Sequence, residues 1–220
     1  MIKIDNILVL VGGGWVDEEH LRQLHESGVE IIAADGGANY CAKLDIVPKA
    51  IIGDIDSLLN KQEWAKKTTL LQIEEQETTD FEKCLYSTNA PLTIAFGMSG
   101  KRLDHTLAAI NIIGRYANEK NIILINEDDF AFGVCGSFSF EIGKGQNISI
   151  YPLGKIEFQK STGLKYPLDG LTFEQNKRIG ISNFSISKNF TITPKDDNKN
   201  PYLVIFPKPN LKKLIKQLSK

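Results

Sequence analysis

The stretch Ala50-Ile51-Ile52-Gly53-Asp54-Ile55-Asp56-Ser57 joins a short apolar run to two aspartates that are one residue apart. The apolar run predicts a buried β-strand, and the aspartates follow at its carboxyl end. Side chains at i and i+2 of an extended chain point to the same side, so the carboxylates of Asp54 and Asp56 are expected to converge. Two such anions repel each other unless a cation lies between them, and Mg²⁺ is the usual choice for oxygen ligands. The alternative is an acidic turn in which Ser57 caps the next helix.

Similar apolar runs alternate with helical patterns up to residue 128. Strands are predicted at 7–11, 30–34, 50–52, 70–73, 93–96 and 122–125, and helices at 17–24, 38–44, 79–86 and 104–117. This alternation is typical of βαβ units, so we predict that residues 1–128 form a Rossmann-like α/β domain with a mostly parallel sheet. Sheets of this kind bind ligands at the carboxyl ends of their strands, which is where the aspartate pair lies.

From residue 129 to residue 220 the helical period disappears, and apolar residues alternate with polar or small ones. The alternating pairs are Phe138/Phe140, Ile148/Ile150, Ile156/Phe158, Ile179/Ile181 and Phe184/Ile186. Short alternating runs separated by turn residues predict an antiparallel β-sandwich. A basic segment at 211–216 predicts a short amphipathic helix near the end of the chain.

Composition excludes several classes of protein. The 220 residues include 42% hydrophobic residues, carry a formal charge of −1 and show no basic stripe, so no nucleic-acid partner is expected. No apolar run reaches the about 20 residues that span a bilayer, and the N-terminus lacks the pattern of a signal peptide. Three widely spaced cysteines predict neither a disulfide framework nor a zinc site. We therefore expect a cytoplasmic enzyme with no membrane partner.

Glycines follow two of the predicted strands. In the segment 34–39, glycines between a strand and a helix would let a phosphate group approach backbone N–H groups at the start of the helix. The alternative is that Asp35 is the N-cap of that helix. The triple glycine at 12–14 lacks the spacing of a dinucleotide-binding motif and is interpreted as a flexible turn.

Two more polar clusters lie at predicted strand-to-helix junctions. Thr79-x-x-Glu82 fits a capping box, with Asp80 in the first turn of the helix. In 97–105, Arg102 offers a planar fork for phosphate oxygens. Asp104 could bind a metal, orient Arg102 or cap a long helix, and His105 is a weak general-base candidate.

The acidic positions and the basic pair Lys101 and Arg102 are expected to lie along one edge of the sheet. Acidic groups repel an anion such as a phosphate unless a metal ion lies between them. Mg²⁺ held by carboxylates and by substrate phosphates is the arrangement expected for nucleotide-dependent phosphoryl chemistry.

The motifs also resemble a known family. They follow in the order Asp35-Gly-Gly-Ala-Asn39, Gly53-Asp-x-Asp-Ser57, Gln76-x-x-Thr-Asp-Phe-x-Lys-Cys-Leu85 and Gly97-x-x-Gly-x-Arg-Leu-Asp-His105, and then 151–153, 163–168 and 180–183. Together they resemble thiamine pyrophosphokinases over residues 7 to 206. That family combines an N-terminal α/β domain with a C-terminal β-sandwich and transfers pyrophosphate from ATP to thiamine, releasing AMP.

The resemblance implies roles for particular residues. The metal ligands for Mg²⁺ would be Asp54, Asp56 and Asp80, and the catalytic groups would be these three with Arg102 and Asp104. The residues implied to lie near ATP are Asp35, Gln76, Thr79, Lys101 and His105. Ser182 and Asn183 would contact thiamine. The resemblance also implies a homodimer with active sites at the subunit interface.

Two positions depart from the family's pattern. Lys101 replaces a glycine common before the arginine, and Phe184 replaces an acidic residue after Ser182-Asn183. The Phe184 ring could face the cationic thiazolium or lie in the core. A pyrophosphokinase for another alcohol, such as a hydroxymethylpterin, and a non-catalytic sensor are the alternatives. The motifs at 163–168 and 180–183 argue against the first, and the complete acidic set argues against the second.

Overall fold

The computed structural model describes residues 1–195 and 199–219. The chain divides into two compact units, the first formed by residues 1–112 and 122–127 and the second by residues 113–121 and 128–220. Elements that begin in the first unit are β1 (Ile2–Lys3), β2 (Ile7–Val11), α1 (Glu18–Glu26), β3 (Glu30–Ala34), α2 (Ala38–Lys43), β4 (Ala50–Gly53), α3 (Lys61–Lys67), β5 (Thr69–Gln72), α4 (Asp80–Ser87), β6 (Thr88–Asn89), β7 (Leu92–Phe96), α5 (Leu103–Tyr116) and β8 (Ile122–Ile125).

The first unit is built on a parallel sheet with the strand order β8-β7-β2-β3-β4-β5. Its inner strands are buried along nearly their whole length, which explains why they are continuous apolar runs rather than alternating ones. Strands β1 and β6 form a separate parallel pair. The α/β architecture predicted for this part of the chain is confirmed.

The strand order changes direction at β2, which has β3 on one side and β7 on the other. In open parallel sheets, a crevice forms outside the carboxyl ends of the strands at such a point. The loops that begin at Gly12, Asp35, Asp54 and Gly97 follow β2, β3, β4 and β7, so all four leave the sheet at this edge.

The triple glycine after β2 is an ordered turn. The N–H groups of Gly12 and Gly14 donate to the carbonyls of Phe96 and Gly97, at 2.8 and 2.7 Å. A Cβ atom on Gly12 would lie 2.6 Å from the Gly97 oxygen. Glycine is therefore required here because two backbones meet, and the flexible turn expected from the sequence was wrong.

The second unit consists mainly of β-strands, and it also contains the last turn of α5 and a short helix after its last strand. Its elements are β9 (Asp129–Val134), β10 (Phe138–Glu141), β11 (Asn147–Pro152), β12 (Ile156–Thr162), β13 (Thr172–Phe173), β14 (Gly180–Phe184), β15 (Asn189–Pro194), β16 (Tyr202–Pro207) and α6 (Leu211–Leu218). The strands form two antiparallel sheets, in the orders β14-β11-β16-β9 and β10-β15-β12-β13.

Aromatic side chains join these two sheets. The ring centres of Phe140 on β10 and Phe206 on β16 are 5.2 Å apart, and those of Phe158 on β12 and Tyr202 on β16 are 5.8 Å apart. All four rings are buried. The predicted antiparallel sandwich is therefore confirmed, with a core of inward-facing residues from both sheets.

One alternating segment does not contribute to that core. Ile179, Ile181, Phe184 and Ile186 are all exposed, with 53% of Ile181 accessible. Strand β14 lies at the edge of its sheet, and its pairing with β11 shifts register. Ser182 has a left-handed backbone, with φ of 59°, which breaks the alternation. The interpretation of Phe184 as a core residue was therefore wrong.

Across the residues that the structure describes, no helix has both the length and the apolar character needed to cross a membrane.

Candidate active site

Three aspartates converge at the carboxyl ends of β3 and β4. Carboxylate oxygens of Asp35, Asp54 and Asp56 lie within 4.8 Å of one another. Asp35 is only 6% exposed, and among the described residues its Oδ1 atom is the one buried side-chain oxygen or nitrogen without a hydrogen-bond partner. An unpaired buried carboxylate oxygen facing other carboxylates is costly unless a cation binds there.

Burial raises the pKa of Asp35, and the charges of Asp80 and Asp54 raise this pKa further. Hydrogen bonds from the Gly36 backbone and the Ser57 side chain act in the opposite direction. Because the raised pKa reflects the cost of the anionic form, a bound cation would lower it.

A turn brings Asp54 and Asp56 together. Ile55, between them, has a left-handed backbone with φ of 65°, and the Asp56 N–H donates to Asp54 Oδ1 at 3.3 Å. The convergence predicted from an extended chain therefore arises in a different way. A β-branched residue rarely adopts this conformation, so the loop is strained where the two carboxylates meet.

Two of the alternatives that the sequence left open, in which Ser57 and Asp35 are helix caps, were wrong. The Ser57 hydroxyl donates to Asp56 Oδ1 at 2.9 Å, whereas α3 begins at Lys61 and its N-cap is Asn60. Asp35 lies in a short turn with φ of 40°, and the N-cap of α2 is Gly37. A Cβ atom on Gly37 would lie 1.9 Å from the Val11 oxygen. The glycines after Asp35 therefore let α2 approach β2, and they leave the Asp35 side chain with the other acidic groups.

Asp80 lies beside this cluster in the first turn of α4. Thr79 is the N-cap of the helix, since its Oγ1 accepts from the Glu82 N–H at 3.4 Å. Asp80 Oδ1 accepts from the Asp54 N–H at 3.3 Å and from Lys83 Nζ at 3.2 Å. A Cβ atom on Gly53 would lie 2.8 Å from Asp80 Oδ1, so glycine lets the Asp80 carboxylate approach the strand.

Burial raises the pKa of Asp80, whereas the hydrogen bond and charge of Lys83 lower it. The charge of Asp54 raises it again, and the net shift is upward. Gln76 also reaches the cluster, because its Nε2 lies 3.4 Å from Asp54 Oδ2.

The loop after β7 presents an exposed ion pair. Arg102 donates from Nε to Asp104 Oδ1 at 3.1 Å and from Nη2 to Asp104 Oδ2 at 2.6 Å. This pairing lowers the pKa of Asp104 to about 2. Helix α5 begins at Leu103, so Asp104 lies inside its first turn rather than at the N-cap. Of the roles left open by the sequence, orienting Arg102 is the one that this geometry fits. His105 is exposed, and its N–H donates to Asp104 Oδ1 at 2.9 Å.

Lys101 connects this loop to the glycine turn and to α2. Its Nζ donates to the Gly13 carbonyl at 3.0 Å and to the Tyr40 hydroxyl at 2.7 Å. The Tyr40 hydroxyl in turn donates to the Gly14 carbonyl at 2.9 Å. Lys101 thus holds three segments together at the crevice edge.

In the second unit, Ser182 and Asn183 have different environments. Ser182 is exposed, and its N–H donates to Ser149 Oγ at 3.1 Å. The buried Asn183 amide accepts from the N–H groups of Tyr166 and Phe184 at 3.0 and 2.8 Å, and donates to the Tyr166 carbonyl at 2.7 Å. Asn183 therefore holds the backbone around Tyr166, here called the 166 segment, beside β14.

Lys165 lies next to these residues. Its Nζ is 5.4 Å from the centre of the Tyr166 ring and 5.8 Å from that of Phe184. Within the chain, the Phe184 ring therefore faces the ammonium group of Lys165, on a surface of exposed apolar and aromatic side chains.

Residues 21–125 match the family model described as thiamin pyrophosphokinase, catalytic domain, and residues 137–207 match the one described as thiamin pyrophosphokinase, vitamin B1 binding domain. The two matches cover most of the chain. The chain belongs to the thiamine pyrophosphokinase family.

Curated members of this family are distant relatives in sequence. Thiamine pyrophosphokinase 1 of Oryza sativa subsp. japonica is 26% identical over 200 residues, which cover 76% of this chain and 75% of the relative. Thiamin pyrophosphokinase 1 of Caenorhabditis elegans is 26% identical over 171 residues, covering 69% and 70% of the two chains.

Solved thiamine pyrophosphokinase structures share the fold. The enzyme of Geobacillus thermodenitrificans superposes with a TM-score of 0.76 at 23% identity, covering 91% of this chain and 97% of the other. The yeast enzyme gives a TM-score of 0.77 at 18% identity, covering 98% and 93%. The family fold is therefore kept although few residues are identical.

The sequence patterns assign no role to two residues at this site. Lys83 belongs only to a family motif, and Tyr40 lies outside every motif. The Asp80-x-x-Lys83 spacing places both side chains on one face of a helix, which could have indicated the ion pair. The burial of Lys83 and the reach of Lys101 to Tyr40 depend on tertiary packing, and no local pattern reveals them.

Proposed function

We propose that this chain transfers the pyrophosphoryl group of ATP to the hydroxyethyl oxygen of thiamine, giving thiamine diphosphate and AMP. The observation that carries the proposal is the convergence of Asp35, Asp54 and Asp56 at the strand ends of a chain that belongs to this family. In this proposal, residues 1–128 bind ATP and residues 129–220 bind thiamine.

The acidic cluster fits Mg²⁺. It offers carboxylate oxygens, which this ion prefers, and it includes the buried oxygen of Asp35 that has no hydrogen-bond partner. Asp54, Asp56 and Asp80 would hold the ion, with Asp35 beside them. When bound, Mg²⁺ supplies neutralisation of charge on phosphate oxygens.

The remaining groups position the reactants. Arg102 would bind phosphate oxygens through its planar fork, with Asp104 orienting it, while Lys101, Gln76, Thr79 and His105 line the nucleotide side. Transfer of this kind depends mainly on positioning and charge neutralisation, and needs no covalent intermediate.

Asp80 is the better candidate to accept the proton of the thiamine alcohol. Burial raises its pKa, whereas pairing with Arg102 keeps the pKa of Asp104 at about 2. Without metal, the carboxylate with the higher pKa is the stronger base.

Thiamine would be contacted by Ser182 directly, and by Asn183 through the 166 segment that it holds. We also propose a cytoplasmic homodimer with active sites at the subunit interface. The exposed apolar residues Ile179, Ile181 and Phe184 beside Ser182 support a surface that is covered in an assembly.

The test is the product pair. Purified protein with ATP, thiamine and Mg²⁺ should form AMP and thiamine diphosphate in equal amounts, and EDTA should abolish both products. Formation of ADP as the stoichiometric product would mean single phosphoryl transfer and would contradict the proposal.

A further inference from the structure

Lys83 is a buried lysine beside the acidic cluster. Its side chain is only 2% exposed, although lysine is rarely buried fully unless it is paired. Most of α4 around it is buried as well, including Phe81, Cys84 and Leu85. Removing an ammonium group from water is costly, so a lysine buried at this position needs a contact that compensates for the lost hydration.

The contact of Lys83 leads directly to the loop that carries Asp54 and Asp56. Its Nζ donates to Asp80 Oδ1 at 3.2 Å, and the same oxygen accepts from the Asp54 N–H at 3.3 Å. One carboxylate oxygen thus joins a helix to the loop that carries Asp54 and Asp56. This loop contains the left-handed residue Ile55, so it needs an external anchor to keep its shape.

We propose that Lys83 is a positioning residue, which fixes the Asp80 carboxylate against the Asp54 backbone and thereby sets the geometry of the aspartate cluster. The inference rests on the proposed function and extends it to a residue that acts through Asp80. Lys83 acts through Asp80, since its hydrogen bond ends on the oxygen that receives the Asp54 N–H.

The chain contains a matched pair that serves as a control. Glu63 and Lys66 on α3 have the same acid-then-lysine spacing as Asp80 and Lys83, with a distance of 2.7 Å. Lys66 is 70% exposed, however, and its hydrogen bond ends on Glu63, which is not one of the proposed site residues. Lys66→Met therefore removes an ion pair of the same spacing without touching the cluster.

The first measurement is hydrogen exchange of the Asp54 amide, followed by NMR on the full chain without nucleotide or metal. Lys83→Met keeps an unbranched side chain but removes the charge and the donor. Asp54 should exchange about 5- to 30-fold faster in this variant, the factor expected for the loss of one stabilising contact. Lys66→Met should leave it unchanged. Unchanged exchange in Lys83→Met would overturn the proposal.

The second measurement is a double-mutant cycle on turnover. Lys83→Met should lower kcat about 10- to 100-fold, because small misplacements of a reacting group have effects of this size. On an Asp80→Ala background, the same substitution should change kcat by no more than about twofold, since Lys83 then has nothing to position. An equal loss on both backgrounds would mean that Lys83 acts independently of Asp80.

Wild-type protein provides a readout if Lys83→Met does not fold. The side-chain ammonium signal of Lys83 should be protected from exchange in NMR spectra and should shift in Asp80→Ala, whereas the Lys66 signal should do neither. An unprotected Lys83 signal would contradict the proposal.

If the wild type makes no AMP from ATP and thiamine, the proposed function fails, while the Asp54 and Lys83 measurements still decide whether this anchor exists.

Discussion

The ammonium nitrogen of Lys101 lies 2.7 Å from the Tyr40 hydroxyl and 5.0 Å from the centre of the Tyr40 ring. Lys101 adopts this position with a left-handed backbone, at φ of 57°. The resemblance to the family places a glycine here, which tolerates such a backbone without strain. The lysine therefore combines a conformational cost with contacts that a glycine could not make.

We expect Lys101→Met to unfold more easily than Lys101→Gly. Both variants lose the bonds to Tyr40 and Gly13, but only methionine keeps the strained left-handed backbone. The difference in free energy of unfolding should be about 1 kcal/mol in favour of glycine, and urea denaturation measures it. Equal stability of the two variants would show that position 101 is not strained.

Asp35→Asn should stabilise the metal-free protein at pH 7. The pKa of Asp35 is raised above the ordinary value of 3.8 by burial and by neighbouring charges, so its ionisation opposes folding. The protonated Asp35 side chain contributes stability that is complete below pH 3.8 and is lost as the pH rises through the higher folded-state pKa. The advantage of the asparagine variant should therefore shrink as the pH is lowered from 7 towards 4.

Urea denaturation in EDTA over this pH range checks the Asp35 prediction. Adding Mg²⁺ should then stabilise wild type more than Asp35→Asn, because ligand binding to the folded state adds to stability. An asparagine variant that is less stable than wild type at every pH would contradict the assignment of an unsatisfied carboxylate.

Arg102→Lys should impair catalysis but not folding. Lysine keeps the charge but loses the fork that now bonds Asp104 through two nitrogens. KM for ATP should rise, or kcat fall, by about tenfold, the scale of one charge-assisted hydrogen bond. Stability should change by less than about 0.5 kcal/mol because the pair is exposed. Arg22→Lys, on α1, is the control, and normal kinetics for Arg102→Lys would make Arg102 an ordinary surface residue.

Asn183→Ala should lower the free energy of unfolding by about 2–3 kcal/mol, since it removes a buried amide and leaves part-buried backbone groups of the 166 segment unpaired. Ser182→Ala should be nearly neutral for stability because its side chain is exposed. Denaturation curves test both statements. A raised KM for thiamine in Ser182→Ala, at unchanged stability, would indicate direct contact, and an unchanged KM would remove Ser182 from the thiamine site.

Mixing two inactive chains should restore activity if active sites are shared between subunits. One chain carries Asp54→Asn and the other carries substitutions at Ser182 and Asn183. Random exchange makes about half of the dimers mixed, and each mixed dimer has one intact site, so activity should reach about a quarter of wild type. AMP release after co-refolding measures this, with exchange confirmed by a tag pull-down. No recovery would place each site within a single chain.

Local patterns of the chain were sufficient for the fold class. Continuous apolar runs such as 7–11 and 50–53 became the buried parallel strands, and the alternation at 138–142 became an inward-facing sandwich strand. Helix signals were also local, as in Thr79, which caps α4 through its own side chain. These features depend on periodicity and on hydrogen bonds within a few residues, which the sequence records directly.

The acidic cluster could be predicted only in part. The sequence indicated that Asp54 and Asp56 converge, because they follow one strand, and that Asp35 and Asp80 lie at the same edge of the sheet. It did not indicate that Ile55 turns left-handed between the pair. The sequence also did not indicate that Ile181 is exposed. The edge position of β14 and its register shift against β11 arise from strand pairing, which a local pattern does not contain.

The sequence by itself determined the alternation of strands and helices in the first part of the chain, the edge at which the acidic residues gather, and the family to which the motifs belong. Tertiary structure alone decided that the buried Oδ1 atom of Asp35 has no hydrogen-bond partner, that Lys83 is buried beside Asp80, and that Lys101 reaches Tyr40. The physical reason is that burial and charge pairing depend on which segments pack together. Desolvation at the Asp35 carboxylate comes from neighbours distant in sequence, and no local pattern encodes it.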